Sequence, residues 1–193
     1  MTRSATVERA TKETTVTVEL ALDGSGSSAA ETGLPFFDHM LQQLGTHAGF
    51  DLTVRASGDL EVDGHHTVED VGLALGQALR EALGDKRGIR RFASITVPLD
   101  EAAVEVALDL SGRPFVVHEV DVPAETIGSY DTGLTEDFVR AFSTAAEMTL
   151  HVRLRAGRSP HHIVEAEFKA LAKCLQDAVR VVGTDVPSTK GTL

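Results

Sequence analysis

The chain of 193 residues lacks the features that mark several large protein classes. Its single cysteine, Cys174, excludes an intramolecular disulfide, and the apolar residues around it predict a thiol buried on a helix. The sequence has no run of about 18 uncharged apolar residues, and residues 1–10 contain no apolar stretch of signal-peptide length. We therefore expect a soluble, cytoplasmic protein that does not bind membranes.

Basic residues are also scarce. The chain has 18 lysines and arginines against 29 acidic residues, which gives a formal net charge of −11. Such a charge repels nucleic acids and anionic membranes, so neither is an expected partner. Hydrophobic residues make up 42% and charged residues 24%, an ordinary globular balance that excludes a disordered or collagen-like chain.

Hydrophobic periodicity predicts strands and helices along the whole chain. Strands are expected near residues 15–22, 51–56, 95–99, 104–110 and 149–154, and helices near 35–49, 68–83, 138–145 and 163–182. Residues 24–28 are expected to form a turn, and further extended chain is expected up to residue 122.

An internal duplication is the strongest signal in the sequence. The segments 65–79 and 161–175 both begin with His-His-x-Val-Glu and are identical at seven of fifteen positions. Aligning Leu52 with Leu150 places His39 opposite Asp137, each 13 residues upstream. The repeat predicts an α+β fold in which two duplicated sheet-and-helix half-domains, 1–90 and 91–183, are related by a pseudo-twofold axis, with helices packed between the sheets and a tail at 184–193.

The duplicated motif has the composition of a metal site. At a helix start, residues four apart share a face, so His65 can bind one ion together with Glu69, whereas His66 diverges by about 100° and must serve another centre. The second copy repeats the arrangement with His161, His162 and Glu165. Without a thiolate, Mn²⁺, Fe²⁺ and Zn²⁺ are all candidates. A single copy is also explained by ordinary surface histidines and by glutamates placed favourably in a helix dipole.

Several longer motifs carry a family resemblance. They are 33–41 (GLPFFDHML), 64–70 (GHHTVED), 98–102 (PLDEA), 109–114 (DLSGRP) and 161–166 (HHIVEA). Over essentially its whole length, the chain resembles imidazoleglycerol-phosphate dehydratases of histidine biosynthesis.

The resemblance implies a manganese lyase, with two Mn²⁺ per active site, that converts imidazole glycerol phosphate to imidazole acetol phosphate. It also implies a homo-oligomer of 24 subunits with active sites shared between subunits. The implied metal ligands are His39, His65, His66, Glu69, His161, His162 and Glu165, together with Asp137, which stands where many members have histidine.

Other roles also follow from the resemblance. Glu13 matches an acid–base glutamate, and Arg91, Arg113 and Lys169 match phosphate contacts. His47 ends a substrate-contacting stretch, and the tail residues Ser188, Thr189 and Lys190 resemble a strap that closes over substrate.

The chemistry of dehydration is compatible with these residues. Metal ions on both ring nitrogens would make the imidazole ring an electron sink, and neither a redox change nor an organic cofactor is needed. Glu13 is the expected proton carrier because Glu69 and Glu165, the other carboxylates in the catalytic set, are expected to be occupied as ligands. Metal-dependent hydrolysis and non-catalytic metal storage are the alternative functions.

Overall fold

The computed structural model describes residues 3–193 and contains two four-stranded sheets, a two-stranded hairpin and four helices. The strands are β1 (Ser4–Ala10), β2 (Thr14–Ala21), β3 (Ser28–Glu31), β4 (Asp51–Gly58), β5 (Phe92–Leu99), β6 (Ala102–Asp109), β7 (Phe115–Glu119), β8 (Thr126–Ile127), β9 (Tyr130–Asp131) and β10 (Thr149–Ala156). The helices are α1 (Pro35–Ala48), α2 (His65–Leu83), α3 (Leu134–Ala145) and α4 (Pro160–Ala178).

The two sheets have the same topology. Their strand orders are β1-β2-β4-β3 and β5-β6-β10-β7, and in each the last strand is parallel to its neighbour while the other pairs are antiparallel. The registers also correspond, because Leu20 lies opposite Leu52 in the first sheet and Leu108 lies opposite Leu150 in the second. The predicted duplication and the α+β class are therefore confirmed.

The helices join the two halves. Helix α2 packs on β1 and β2 and against α3 of the second half, whereas α4 packs on β5 and β6 and against α1 of the first half. Two glycines permit the close approach of α2 to α3. A Cβ atom at Gly76 would lie 2.4 Å from the carbonyl oxygen of Phe142, and one at Gly72 would lie 3.0 Å from that of Phe138.

The core lies between the helices and the inner faces of the sheets. Phe138 of α3 stacks on Phe168 of α4 with 5.2 Å between ring centroids, so the two helices of the second half are in contact within the core. Cys174 is 1% exposed, as expected, and burial raises the pKa of its thiol to about 12. Within residues 3–193, no helix combines the length and apolar character that crossing a membrane requires.

Four elements differ from the sequence-based expectations. Strands β1 and β3 were not predicted, because each buries only one residue, Val7 and Ala30, and so lacks a continuous apolar stripe. Helix α4 ends at Ala178 and not at residue 182, since the following chain leaves the helix and Val182 N donates to the carbonyl of Gly88 at 2.7 Å. Helix α3 begins earlier than expected, which places Asp137 in its first turn.

Candidate metal centre and substrate pockets

Both His-His motifs lie at helix starts. Helix α2 begins at His65, whose backbone N–H donates to the carboxylate of Asp63 at 2.8 Å. Helix α4 begins at Pro160, and Ser159 caps it by accepting a hydrogen bond from the backbone N–H of His162. A proline favours the first helical position because it lacks the N–H that would otherwise need a partner there.

Three potential metal ligands converge where the halves meet. Glu165 Oε2 lies 2.9 Å from His161 Nε2 and 3.7 Å from His39 Nε2, and the three ligand atoms lie within 4.8 Å of one another. His39 belongs to α1 of the first half, whereas the other two belong to α4 of the second. The ring of His161 also packs edge-on against the ring of Phe36, with 5.2 Å between the ring centroids. Two imidazoles and a carboxylate form a donor set that suits Mn²⁺, Fe²⁺ or Zn²⁺.

A related contact occurs on the other side of the pseudo-twofold axis. Asp137 of α3, the counterpart of His39, places Oδ2 3.1 Å from Nδ1 of His65 on α2. Glu69, expected to share an ion with His65, is exposed and lies outside any three-ligand group that the structure shows within residues 3–193. In this second cluster, around His65, two of the expected donors, His65 and Asp137, are therefore in contact.

Neighbouring donors stabilise the charged form of the carboxylate in the first cluster. Burial acts to raise the pKa of Glu165, but hydrogen bonds from Lys169 and His161 outweigh it and hold the pKa below its usual value. Lys169 Nζ lies 2.6 Å from Glu165 Oε1, so this expected phosphate contact lies beside the candidate metal ligands. His47 pairs with Gln43 at 2.9 Å, and burial together with the charge of Lys169 lowers the pKa of this histidine.

The second histidine of each motif has a carboxylate partner that the sequence did not identify. His66 Nδ1 lies 3.0 Å from Asp59 Oδ2, and His162 Nδ1 lies 2.7 Å from Glu101 Oε2. These hydrogen bonds raise the pKa of both histidines, and the hydrogen bond from His162 is the main reason that the pKa of Glu101 is lowered to about 2. No spacing signal could have revealed the second contact, because its partners are 61 residues apart.

A separate pocket is lined by two of the three expected phosphate contacts, Arg91 and Arg113, together with the tail residues Ser188, Thr189 and Lys190. The Arg91 guanidinium binds both carboxylate oxygens of Asp109, at 2.6 and 3.0 Å, and donates to the carbonyl of Pro187 at 2.7 Å. Arg91 therefore fixes the start of the tail, so that the residues that follow lie over the pocket.

Glu13 lies in a third place, the loop between β1 and β2. The loop is fixed to α2 because Asp70 accepts hydrogen bonds from Arg9 Nε, at 2.8 Å, and from Thr14 Oγ1. The Glu13 carboxylate faces an open pocket that it shares with Glu61, and within residues 3–193 it accepts no hydrogen bond. An unencumbered carboxylate can both take up and release a proton.

This combination defines a class of protein: a duplicated α+β enzyme with a His-His motif at a helix start in each half. Each half also contributes one side chain, a histidine or a carboxylate, to the motif of the other half. The sequence model of the family "Imidazoleglycerol-phosphate dehydratase" (IGPD) matches residues 32–175. The chain belongs to the imidazoleglycerol-phosphate dehydratase family, hydro-lyases of histidine biosynthesis that act on a small imidazole compound.

Relatives of this name are similar over the full chain. An imidazoleglycerol-phosphate dehydratase of Parafrankia sp. (strain EAN1pec) is 58% identical and aligns over 100% of both chains, and one of Acidothermus cellulolyticus is 59% identical over 99% of this chain and 93% of its own. The crystal structure from Staphylococcus aureus subsp. aureus N315 has a TM-score of 0.84 at 33% identity and covers 92% of this chain and 99% of its own. An IGPD from Pyrococcus furiosus also has a TM-score of 0.84, at 34% identity, over 97% of this chain and 100% of its own.

Proposed function

We propose that this enzyme dehydrates D-erythro-imidazole glycerol phosphate to imidazole acetol phosphate, with two divalent metal ions, Mn²⁺ by preference, in each active site. The observation that carries the proposal is the convergence of His39, His161 and Glu165, with their ligand atoms within 4.8 Å of one another. A role in amino-acid biosynthesis supports a cytoplasmic location.

The residues present fit such ions. The convergent side chains supply imidazole nitrogen and carboxylate oxygen, and the single thiol, Cys174, is buried in the core. One ion would be held by the His39 cluster, and His65, His66, Glu69, Asp137 and His162 are the further proposed ligands. Bound Mn²⁺ would act as a Lewis acid that withdraws electron density from the substrate's imidazole ring.

Proton transfer falls to Glu13 in this proposal. Dehydration removes a hydroxyl group beside the ring and a proton from the adjacent carbon. Glu13 can hold and move that proton because its carboxylate is free, whereas Glu165 is engaged by His161 and Lys169. Glu69 and Glu165 contribute to catalysis as ligands.

The substrate phosphate would enter the pocket of Arg91 and Arg113. Arginine can donate two parallel hydrogen bonds to phosphate oxygens, and the tail residues 188–190 would complete the enclosure. Lys169 and His47, beside the proposed metal ligands, would also contact the substrate.

The separation of these groups supports an active site built from several subunits. Glu13, the His39 cluster and the arginine pocket each lie in a different pocket or cluster of the chain. We propose that a closed homo-oligomer of 24 subunits brings them together, with ligands from neighbouring chains completing each metal site.

Metal analysis tests the two-ion proposal. The purified enzyme is stripped of metal, reconstituted with Mn²⁺ and measured by elemental analysis. About two ions per subunit are expected, because adjacent histidines on one helix cannot face the same centre. A content below one ion per subunit after reconstitution would contradict the proposal.

A further inference from the structure

Glu13 and Glu101 occupy the same position in the two halves of the fold. Each lies in the hairpin that joins the first two strands of its sheet, seven residues before Leu20 and Leu108 respectively. Those leucines correspond in register, since each pairs with the aligned leucine of the next strand. The duplication therefore gives each half one glutamate at this hairpin position.

The two glutamates make different contacts. Glu101 Oε2 accepts a hydrogen bond from His162 Nδ1 at 2.7 Å, and Glu101 Oε1 accepts the backbone N–H groups of Ser159 at 2.7 Å and Arg158 at 3.2 Å. One carboxylate thus holds both the imidazole ring and the loop that leads into α4. The carboxylate of Glu13, by contrast, accepts no hydrogen bond within residues 3–193.

The first half uses a different acid for the same contact. His66 Nδ1 lies 3.0 Å from Asp59, which follows strand β4. Seven residues separate Asp59 from Leu52, and the residue seven positions after Leu150 is Gly157, which has no side chain to offer. The second histidine of each motif therefore has one carboxylate at Nδ1. The loop after β4 supplies it in the first half, and the hairpin between β5 and β6 supplies it in the second.

We propose that Glu101 is a positioning residue for His162, that Asp59 is the positioning residue for His66, and that the presence of Asp59 leaves Glu13 free for proton transfer. An ionised carboxylate only accepts hydrogen bonds, so it fixes the imidazole proton on Nδ1 and leaves the Nε2 lone pair for a metal ion. Such a partner also fixes the ring orientation and raises the basicity of the ligand. The inference rests on the proposed metal-dependent function.

Mn²⁺ affinity in the absence of substrate tests the inference. Mn²⁺ is titrated into the metal-stripped enzyme and its variants, and the free Mn²⁺ that remains is measured by electron paramagnetic resonance. Glu101→Ala and Asp59→Ala should each weaken one class of sites by about 10- to 100-fold, the usual cost of losing a carboxylate behind a metal-binding histidine. Glu13→Ala is the matched comparison, because it removes the equivalent glutamate of the other half, which makes no hydrogen bond to His66, and it should weaken Mn²⁺ affinity far less than Asp59→Ala does.

A double-mutant cycle separates the ring contact from the loop contact. If Glu101 acts through the imidazole, Glu101→Ala should weaken binding by less than about twofold when His162 is already alanine. If Glu101→Ala weakened Mn²⁺ affinity as much in the His162→Ala variant as in the unmodified enzyme, Glu101 would act through the backbone of residues 158–159. That result would overturn the inference. A second control, Glu105→Ala on strand β6, removes a glutamate that pairs with Arg155 and should not change affinity.

The outcomes distinguish the two claims. Wild-type affinity in Glu101→Ala, with normal Mn²⁺ binding by the unmodified enzyme, would overturn the positioning role alone. Failure of the unmodified enzyme to bind Mn²⁺ would overturn the proposed function and the inference with it.

Discussion

His39 of α1 and Asp137 of α3 occupy equivalent positions, and each side chain reaches the histidine motif of the opposite half of the chain. His39 Nε2 lies 3.7 Å from Glu165 Oε2, and Asp137 Oδ2 lies 3.1 Å from His65 Nδ1. Neither half assembles its cluster alone. The packing of α1 on α4 and of α2 on α3 therefore positions the candidate ligands as well as the core.

The crossed contacts predict separate effects on metal binding. His39→Ala and Asp137→Ala should each weaken one class of Mn²⁺ sites by at least ~10-fold, because each removes a proposed ligand from a different cluster. Isothermal titration calorimetry of the reconstituted enzyme measures the effect. His151→Ala on strand β10, outside both clusters, is the control, and equal affinities in all three variants would rule out the crossed assignment.

Glu13→Gln should reduce turnover by about 10² to 10⁴, the usual contribution of general acid–base catalysis. The change preserves the shape of the side chain but removes the ionisable group, so the metal content and KM should change little. A loss confined to kcat indicates a role in the transition state. Glu61→Gln, which alters the same open pocket, is the control, and near-normal turnover of Glu13→Gln would reassign the proton transfer.

Arg113→Ala should raise KM for the phosphorylated substrate by about 10- to 100-fold, which corresponds to about 1.5 to 3 kcal/mol for a hydrogen bond to a charged group. Arg113 is a better choice than Arg91 because Arg91 also holds Asp109 and the tail. Arg180→Ala, which removes a surface arginine paired with Asp177, serves as the control. A KM within about twofold of the unmodified value would show that phosphate binds elsewhere.

Stability should depend on pH through His118, which is 5% exposed and lies 2.9 Å from Glu167. Burial acts to lower the pKa of His118, but the hydrogen bond and charge of Glu167 outweigh it and raise the pKa above 6.5. The stabilisation is therefore complete below about pH 6.5 and is lost as the pH rises through the raised value.

The comparison of His118→Gln with the unmodified enzyme measures this dependence. The difference in thermal midpoint, at fixed protein concentration, should be largest near pH 5.5 and should narrow by pH 8.5. His151→Gln, on the adjacent strand β10, should show no such trend. A constant difference for His118→Gln across this range would mean that the ion pair does not control stability.

The internal repeat explains why so much of the fold could be predicted from the sequence. The match of 65–79 to 161–175 predicted two equivalent units, and the paired registers of Leu52 and Leu150 confirm them. Strand β1 was not predicted because its burial alternates along the strand but Val7 is the only buried residue, and Arg9 occupies another position on the same face. The site was harder still, because contacts such as that of His162 with Glu101 depend on how helix starts pack against hairpins, which local periodicity does not encode.

The reaction itself is the most direct test of the proposed function. The reconstituted enzyme is incubated with imidazole glycerol phosphate and Mn²⁺, and the products are separated and identified by mass spectrometry. The proposal predicts imidazole acetol phosphate, formed with loss of one water molecule and only when the metal is present. Release of inorganic phosphate without the ketone, or recovery of unchanged substrate, would contradict it.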